Sequence, residues 1–139
     1  MALWPWLALF FFAPAQTPEP VKTTLCEIAA HPENYDGKLV QIRALVESGV
    51  DDLPAGVADD KCGAEVKFFT PDDQHFAQLL KSKAFRKLVK DVSRKPFVEA
   101  TVTGWLRRAQ PDKKMQAGLA LESVEDVSAR PLPKSPHEH

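Results

Sequence analysis

The chain has 139 residues and a formal net charge of −1. That length fits one domain, and the near-neutral balance excludes a whole-chain field that draws the protein to nucleic acid or an anionic membrane. Trp4, Trp6 and Phe10 to Phe12 crowd the first fifteen positions. Without them the chain is a modestly aromatic globular domain, whose tryptophan is Trp105 and whose tyrosine is Tyr35.

Met1 to Phe12 is apolar and carries no charged side chain. Its apolar stretch is well short of the roughly 20 residues that span a bilayer as a helix. Ala13-Pro14-Ala15 follows with the small-x-small pattern of a signal-peptidase site. The expectation is an export signal over 1–15, although the segment has no Lys or Arg ahead of its apolar run. Export to the periplasm or outside the cell sets the meaning of the two cysteines, Cys26 and Cys62, 36 positions apart. An even count in an exported chain reads as a disulfide. Closing a loop of that size stabilises by about 3–4 kcal/mol in the chain-entropy description. There is no C-x-x-C, and two thiolates without clustered histidines are too few for zinc.

Thr17 to Lys22, with Pro18 and Pro20, reads as an extended linker, and the predicted domain runs over 24–127. Thr24-Leu25-Cys26-Glu27 has the T-x-x-E form of a capping box, opening a short helix that Pro32 stops near Ala30. Asn34 to Gly37 is a turn. A strand follows to about Ser48, with Val40, Ile42, Ala44 and Val46 on one face. Gly49 to Asp60 is acidic and turn-rich, and Val50, Leu53 and Val57 form a weak strand pattern within it. Ala64 to Phe69 is a clearer strand.

Thr70 then suits a helix cap and Pro71 the first helical position. Phe76, Leu79, Leu80, Phe85, Leu88, Val89 and Val92 recur at helical spacing, which predicts one helix to about Val92, with Ser82 as the place for a kink. Phe97 to Leu106 is the next strand, and Gly104 within it marks a bulge or a tight bend. Ala117 to Val127 closes the domain. Ser128 to His139, with three prolines, reads as a disordered tail.

Strand, weak strand, strand, helix, strand, strand is the element order of the OB-fold, a five-stranded Greek-key barrel with a helix between its third and fourth strands. The predicted class is therefore mainly β with one central helix, as an OB-like barrel; the alternative is an open α+β sandwich. The stretch C-x5-P-x2-YDGK-x-V-x-IRA, Cys26 to Ala44, resembles small exported bacterial OB-fold-like proteins of uncharacterised function. Cys62 after the next loop, and Val102-Thr103-Gly104 after the helix, extend that resemblance over most of Thr24 to Val127. It implies a fold and no activity.

Charge is segregated along the chain. Glu47 to Asp73 holds eight acids against two lysines, net −6; Lys81 to Lys114 holds eleven bases against three acids, net +8. The expected partner-binding surface is basic: Lys83, Arg86, Lys87, Lys90, Arg94, Lys95, Arg107 and Arg108. Its expected partner is an envelope protein or an anionic polymer. Nucleic acid is not expected, because single-strand binders pair a basic groove with stacking aromatics and few aromatics remain here. No catalytic motif, cofactor fingerprint or metal-ligand set is present. The expected function is a non-catalytic binding or assembly module of the bacterial envelope. The alternative is a small metal-dependent or hydrolytic envelope enzyme, which needs carboxylates converging with His31 or His75.

Overall fold

The computed structural model of the chain describes residues 18–49, 51, 53–70, 72–108 and 118–130. The expected export signal, Pro71, Val50 and the end of the tail lie outside the described residues. The elements in order are β1 (Val21–Thr23), α1 (Leu25–Ala30), a 3-10 turn (Pro32–Asn34), β2 (Leu39–Ser48), β3 (Pro54–Asp59), β4 (Ala64–Phe69), α2 (Asp73–Lys81), α3 (Lys83–Arg94), β5 (Val98–Arg107) and β6 (Gly118–Ala129).

The strands form one mixed sheet whose hydrogen bonds return on themselves. The order is β1-β2-β3-β4-β6-β5, and β5 pairs again with β2. Five strands, β2 to β6, therefore form a ring, and β1 lies outside it, parallel to β2 through Val21↔Val40, Lys22↔Gln41 and Thr23↔Ile42. Most pairs in the ring are antiparallel. The exception is β4 with β6, parallel over Lys67↔Gly118 to Phe69↔Ala120. Ring closure removes the long unpaired edges that a sheet of this kind otherwise presents.

Alternation explains the strands. Val40, Ile42, Ala44 and Val46 of β2 are buried, as are Val98, Ala100, Val102 and Leu106 of β5, and Leu119, Leu121 and Val124 of β6. These side chains meet inside the ring and merge with Leu25 and Ile28 of α1 and Leu79, Phe85, Leu88 and Val92 of α2 and α3. The ladder of β5 with β6 slips between Thr103 and Gly104, where the bulge was expected. A Cβ at Gly104 would collide with the Ala120 carbonyl oxygen and with the Leu119 side chain at 2.9 Å, so glycine is what allows the two strands to approach.

The turn before β2 also follows the sequence. Thr24 Oγ1 accepts from the Glu27 backbone N–H at 3.1 Å, and α1 stops at Ala30. Gly37 adopts φ +75°, a left-handed conformation natural to glycine, and donates its N–H to the Leu106 carbonyl at 2.8 Å.

Four expectations are corrected. The helix expected to run to Val92 is two helices, because Ser82 takes an extended backbone (φ −75°, ψ 127°) and its Oγ accepts from the Phe85 N–H at 3.2 Å. A serine that caps in this way competes with the i→i+4 ladder. Leu79 and Phe85 are six residues apart, about 120° off one another on a straight helix at 100° per residue. The break re-phases them so that both are buried, and leaves Phe76 and Leu80 exposed. The cap of α2 is Asp72, whose Oδ1 accepts from the His75 N–H at 2.8 Å, not Thr70. The linker's last residues form β1, a sixth strand. Finally β6 continues to Ala129, so Ser128 and Ala129 belong to the sheet and not to a tail, and beyond the strand the Arg130 N–H donates to the Phe97 carbonyl at 2.9 Å.

Candidate functional site

Helix α3 carries the densest cluster of the expected basic residues. Its apolar stripe, Phe85, Leu88 and Val92, faces the core. Helical geometry then turns Lys83, Arg86, Lys90 and Arg94 outward, and all four are exposed. Lys83, Arg86, Lys87 and Lys90 line a groove of about 640 Å³ between α3 and Asp126-Val127 of β6. Asp126 has φ +49° and stands where the β5–β6 register slips, so the groove wall is an irregular part of the strand.

The basic residues are not equivalent. Lys87 Nζ lies 2.8 Å from Asp91 Oδ2 and donates to the Val127 carbonyl at 3.1 Å. Lys95 Nζ approaches the other oxygen of Asp91 at 3.7 Å. Asp91 is buried, and the Lys87 hydrogen bond holds its carboxyl below the usual carboxylate range against the opposing effect of desolvation. Lys87 and Lys95 therefore tie α3 to its surroundings. Lys83, Arg86, Lys90 and Arg94 form no ion pair among the described residues, so these four carry the charge available to a partner.

Arg107 and Arg108 lie elsewhere. Arg107 ends β5 and Arg108 follows it, and a ten-residue strand extends about 30 Å. Their neighbours are α1 and the turn before β2. The Arg108 N–H donates to Asp36 Oδ1 at 2.9 Å, and its Nε is 3.6 Å from Oδ2. The Arg107 guanidinium carbon sits 5.2 Å from the centroid of the Phe69 ring. The eight expected basic residues thus divide into a cluster on and just after α3 and a pair at the α1 end.

Among the described residues the histidines form no common centre. His31 Nδ1 is 4.0 Å from Glu33, its neighbour in the 3-10 turn. His75 Nδ1 is 2.9 Å from Asp72, and its Nε2 is 3.8 Å from Glu122 on β6. The Asp72 hydrogen bond, the charge of Asp72 and then that of Glu122 raise the imidazole pKa, and the bonds from His75 lower that of Asp72. His137 and His139 lie outside the described residues.

Cys26 and Cys62 form a disulfide, with an S–S distance of 2.10 Å and Cα atoms 5.8 Å apart. An Asp59 carboxylate oxygen lies within 4.8 Å of both sulfurs. Sulfurs joined to each other offer no thiolate to a metal, and Asp59 Oδ1 already accepts from the Lys61 N–H at 3.0 Å. The trio is a turn beside a staple.

Two features had no signal in the residue order. Arg43, on the polar face of β2, donates to Thr101 Oγ1, to the Asp126 carbonyl and to Ser128 Oγ, and its Nε lies 3.5 Å from Glu99. One side chain thus spans β5 and holds the irregular part of β6. The second is an apolar cavity of about 340 Å³ beside α1, which Arg107 and Arg108 also line. Its walls come from residues far apart in the chain, so no local pattern announces it. No family model matches this chain, and no curated protein or solved structure matches it.

Proposed function

We propose that this protein is an exported, OB-like barrel domain of the bacterial envelope that binds an anionic or acidic partner through the α3 groove, without catalysis. The ring order β2-β3-β4-β6-β5, with a parallel β4–β6 pair and helices between β4 and β5, supports the OB-like reading. The Cys26–Cys62 disulfide supports an oxidising compartment. No helix among the described residues is long and apolar enough to cross a membrane.

The observation that carries the binding role is the inequality among the bases of α3. A helix face that merely keeps a protein soluble needs no groove. Here Lys83, Arg86 and Lys90 line one, and Lys87 stiffens its wall by bonding both to Asp91 and to Val127. An acidic segment laid there meets several cations at once, with its longer-range attraction screened beyond about 8–10 Å at physiological salt.

The test is binding of fluorescently labelled polyglutamate to the disulfide-bonded protein, by anisotropy, across a salt series. Affinity falls with rising salt, and Arg86→Glu with Lys90→Glu lowers it at least about tenfold, the equivalent of about 1.4 kcal/mol. Binding that ignores both the salt and the double substitution overturns the proposal.

A further inference from the structure

Resting on the reading that the α3 groove takes an acidic partner, we propose that this partner is a second copy of the chain, held in a two-fold dimer through α2 and α3. The charge of these two helices is polar along the chain. Helix α2 opens on Asp72 and Asp73, both exposed, whereas every exposed charged side chain from Lys81 to Lys95 is basic. Pro54 of β3 and Thr70 line one small cavity with Phe76 of α2, which brings the turn carrying Asp51 to the acidic end. His75 takes up Asp72 and faces Glu122, but Asp51 and Asp73 form no ion pair among the described residues.

This acidic end is also apolar. Four large apolar side chains are exposed among the described residues, and three of them lie here: Phe76 at 39%, Leu80 at 44% and Leu53, beside Pro54, at 46%. A group of this kind rimmed by charge marks an interaction surface. The break at Ser82, which buries Leu79 and Phe85, is what leaves Phe76 and Leu80 outside. Phe76 is held edge to face on Phe85, with ring centroids 6.5 Å apart, so this anchor is positioned before a partner arrives.

The groove is the converse of the patch. Ala84 and Val127, both half-buried, supply its apolar part. Lys83, Arg86 and Lys90 rim it without an ion pair among the described residues, and they outnumber Asp126, the carboxylate that lines it. Patch and groove are neighbours. His75 approaches β6 at Glu122, and the groove meets β6 at Val127, five positions on, roughly 17 Å along an extended strand. A surface with an acidic half beside a basic half is complementary to itself under a two-fold rotation, because each patch meets the other copy's groove and both contacts form at once. Phe76 and Leu80 then leave water, and Arg86 and Lys90 meet carboxylates and an aromatic ring.

Sedimentation velocity of the disulfide-bonded chain over a micromolar concentration series tests this. The mass doubles and goes no higher, and rising salt weakens the dimer. Arg86→Glu with Lys90→Glu weakens it at least about tenfold, and so does Asp73→Lys with Leu80→Lys. All four positions are exposed, so both variants melt at the parent's temperature. Mixed in equal amounts, the two variants form a heterodimer: the acidified groove of one meets the basic patch of the other, and the unaltered patch meets the unaltered groove. Polyglutamate still binds the Asp73→Lys, Leu80→Lys variant, whose groove is untouched. A parent chain that stays monomeric at low salt while binding polyglutamate overturns the dimer and leaves the groove reading standing; a chain that does neither overturns both. Species larger than two copies, a dimer indifferent to both pairs of substitutions, or a mixture of folded variants that stays monomeric overturns the dimer as well.

Discussion

The two ends of the strand ring are held by different physics. At the α1 end the hold is covalent and local. A six-residue helix, too short to be stable alone, is capped by Thr24, stopped before Pro32 and tied to the start of β4 by a disulfide. At the α3 end the hold is packing and charge. Phe85, Leu88 and Val92 enter the core, and Asp91 gathers Lys87 and Lys95 around a buried carboxylate. The first end is cross-linked and borders an apolar cavity; the second presents a charged groove. A short element without a core of its own needs a cross-link, whereas a twelve-residue amphipathic helix supplies enough buried surface to hold itself.

The largest expected effect falls at the covalent end. Replacing Cys26 and Cys62 together by serine lowers stability by about 3–4 kcal/mol in urea unfolding. A loss under about 1 kcal/mol shows that packing of Leu25 and Ile28 already holds that end, and the contrast collapses. At the other end, Asp91→Ala removes a charged hydrogen bond and costs about 1.5–3 kcal/mol. Cost below about 0.5 kcal/mol reduces α3 to packing alone. Ser82→Ala removes the α3 cap and costs about 1 kcal/mol, read as a shift in the unfolding midpoint. If the variant is neutral, the break between α2 and α3 is set by Leu79 and Phe85 and not by the serine.

Acidity separates the ends most finely. Asp91 has a depressed folded pKa, so its contribution is present above the ordinary aspartate value and is lost as pH falls through the folded value. His75 has a raised folded pKa, so its contribution is complete below about 6.5 and is lost as pH rises through the folded value. Both groups lie on the helices between β4 and β5, while the disulfide does not titrate. Stability measured against pH therefore falls on the acid side less steeply in Asp91→Ala than in the parent. The alkaline decline is absent in His75→Gln. Unchanged profiles in both variants place the pH response outside these two helices.

These contrasts mark where residue order informs and where it stops. Strands β2 and β5 are legible because buried apolar residues recur at every second position over Val40 to Val46 and Val98 to Val102, and β6 follows the same pattern at Leu119 and Leu121; burial on one face is a property of each strand by itself. The bulge at Gly104 is legible for the same local reason. Ser82 is legible as a place for a kink and not as the end of a helix, because seven apolar residues at helical spacing describe a continuous stripe as well as two re-phased ones. Strand β1 has three residues and no alternation, so its pairing with Val40 to Ile42 leaves no trace in the sequence. The basic residues are legible as a list and misleading as a surface, since Arg107 and Arg108 follow α3 in the chain and lie at the opposite end of β5.

The sequence by itself determined the elements whose energetics are local: a capped turn stopped by proline, alternating strands, a glycine bulge and a cysteine pair suited to cross-linking. Tertiary structure alone decided what those elements make together. It closed the ring through the parallel β4–β6 pair, split the basic residues between two ends, drew Lys87 onto Asp91 and shaped the cavity beside α1. The physical reason is distance along the chain. Caps, turns and periodic faces depend on residues within a few positions of one another, whereas a groove or cavity depends on side chains that meet only after strands far apart in sequence have paired.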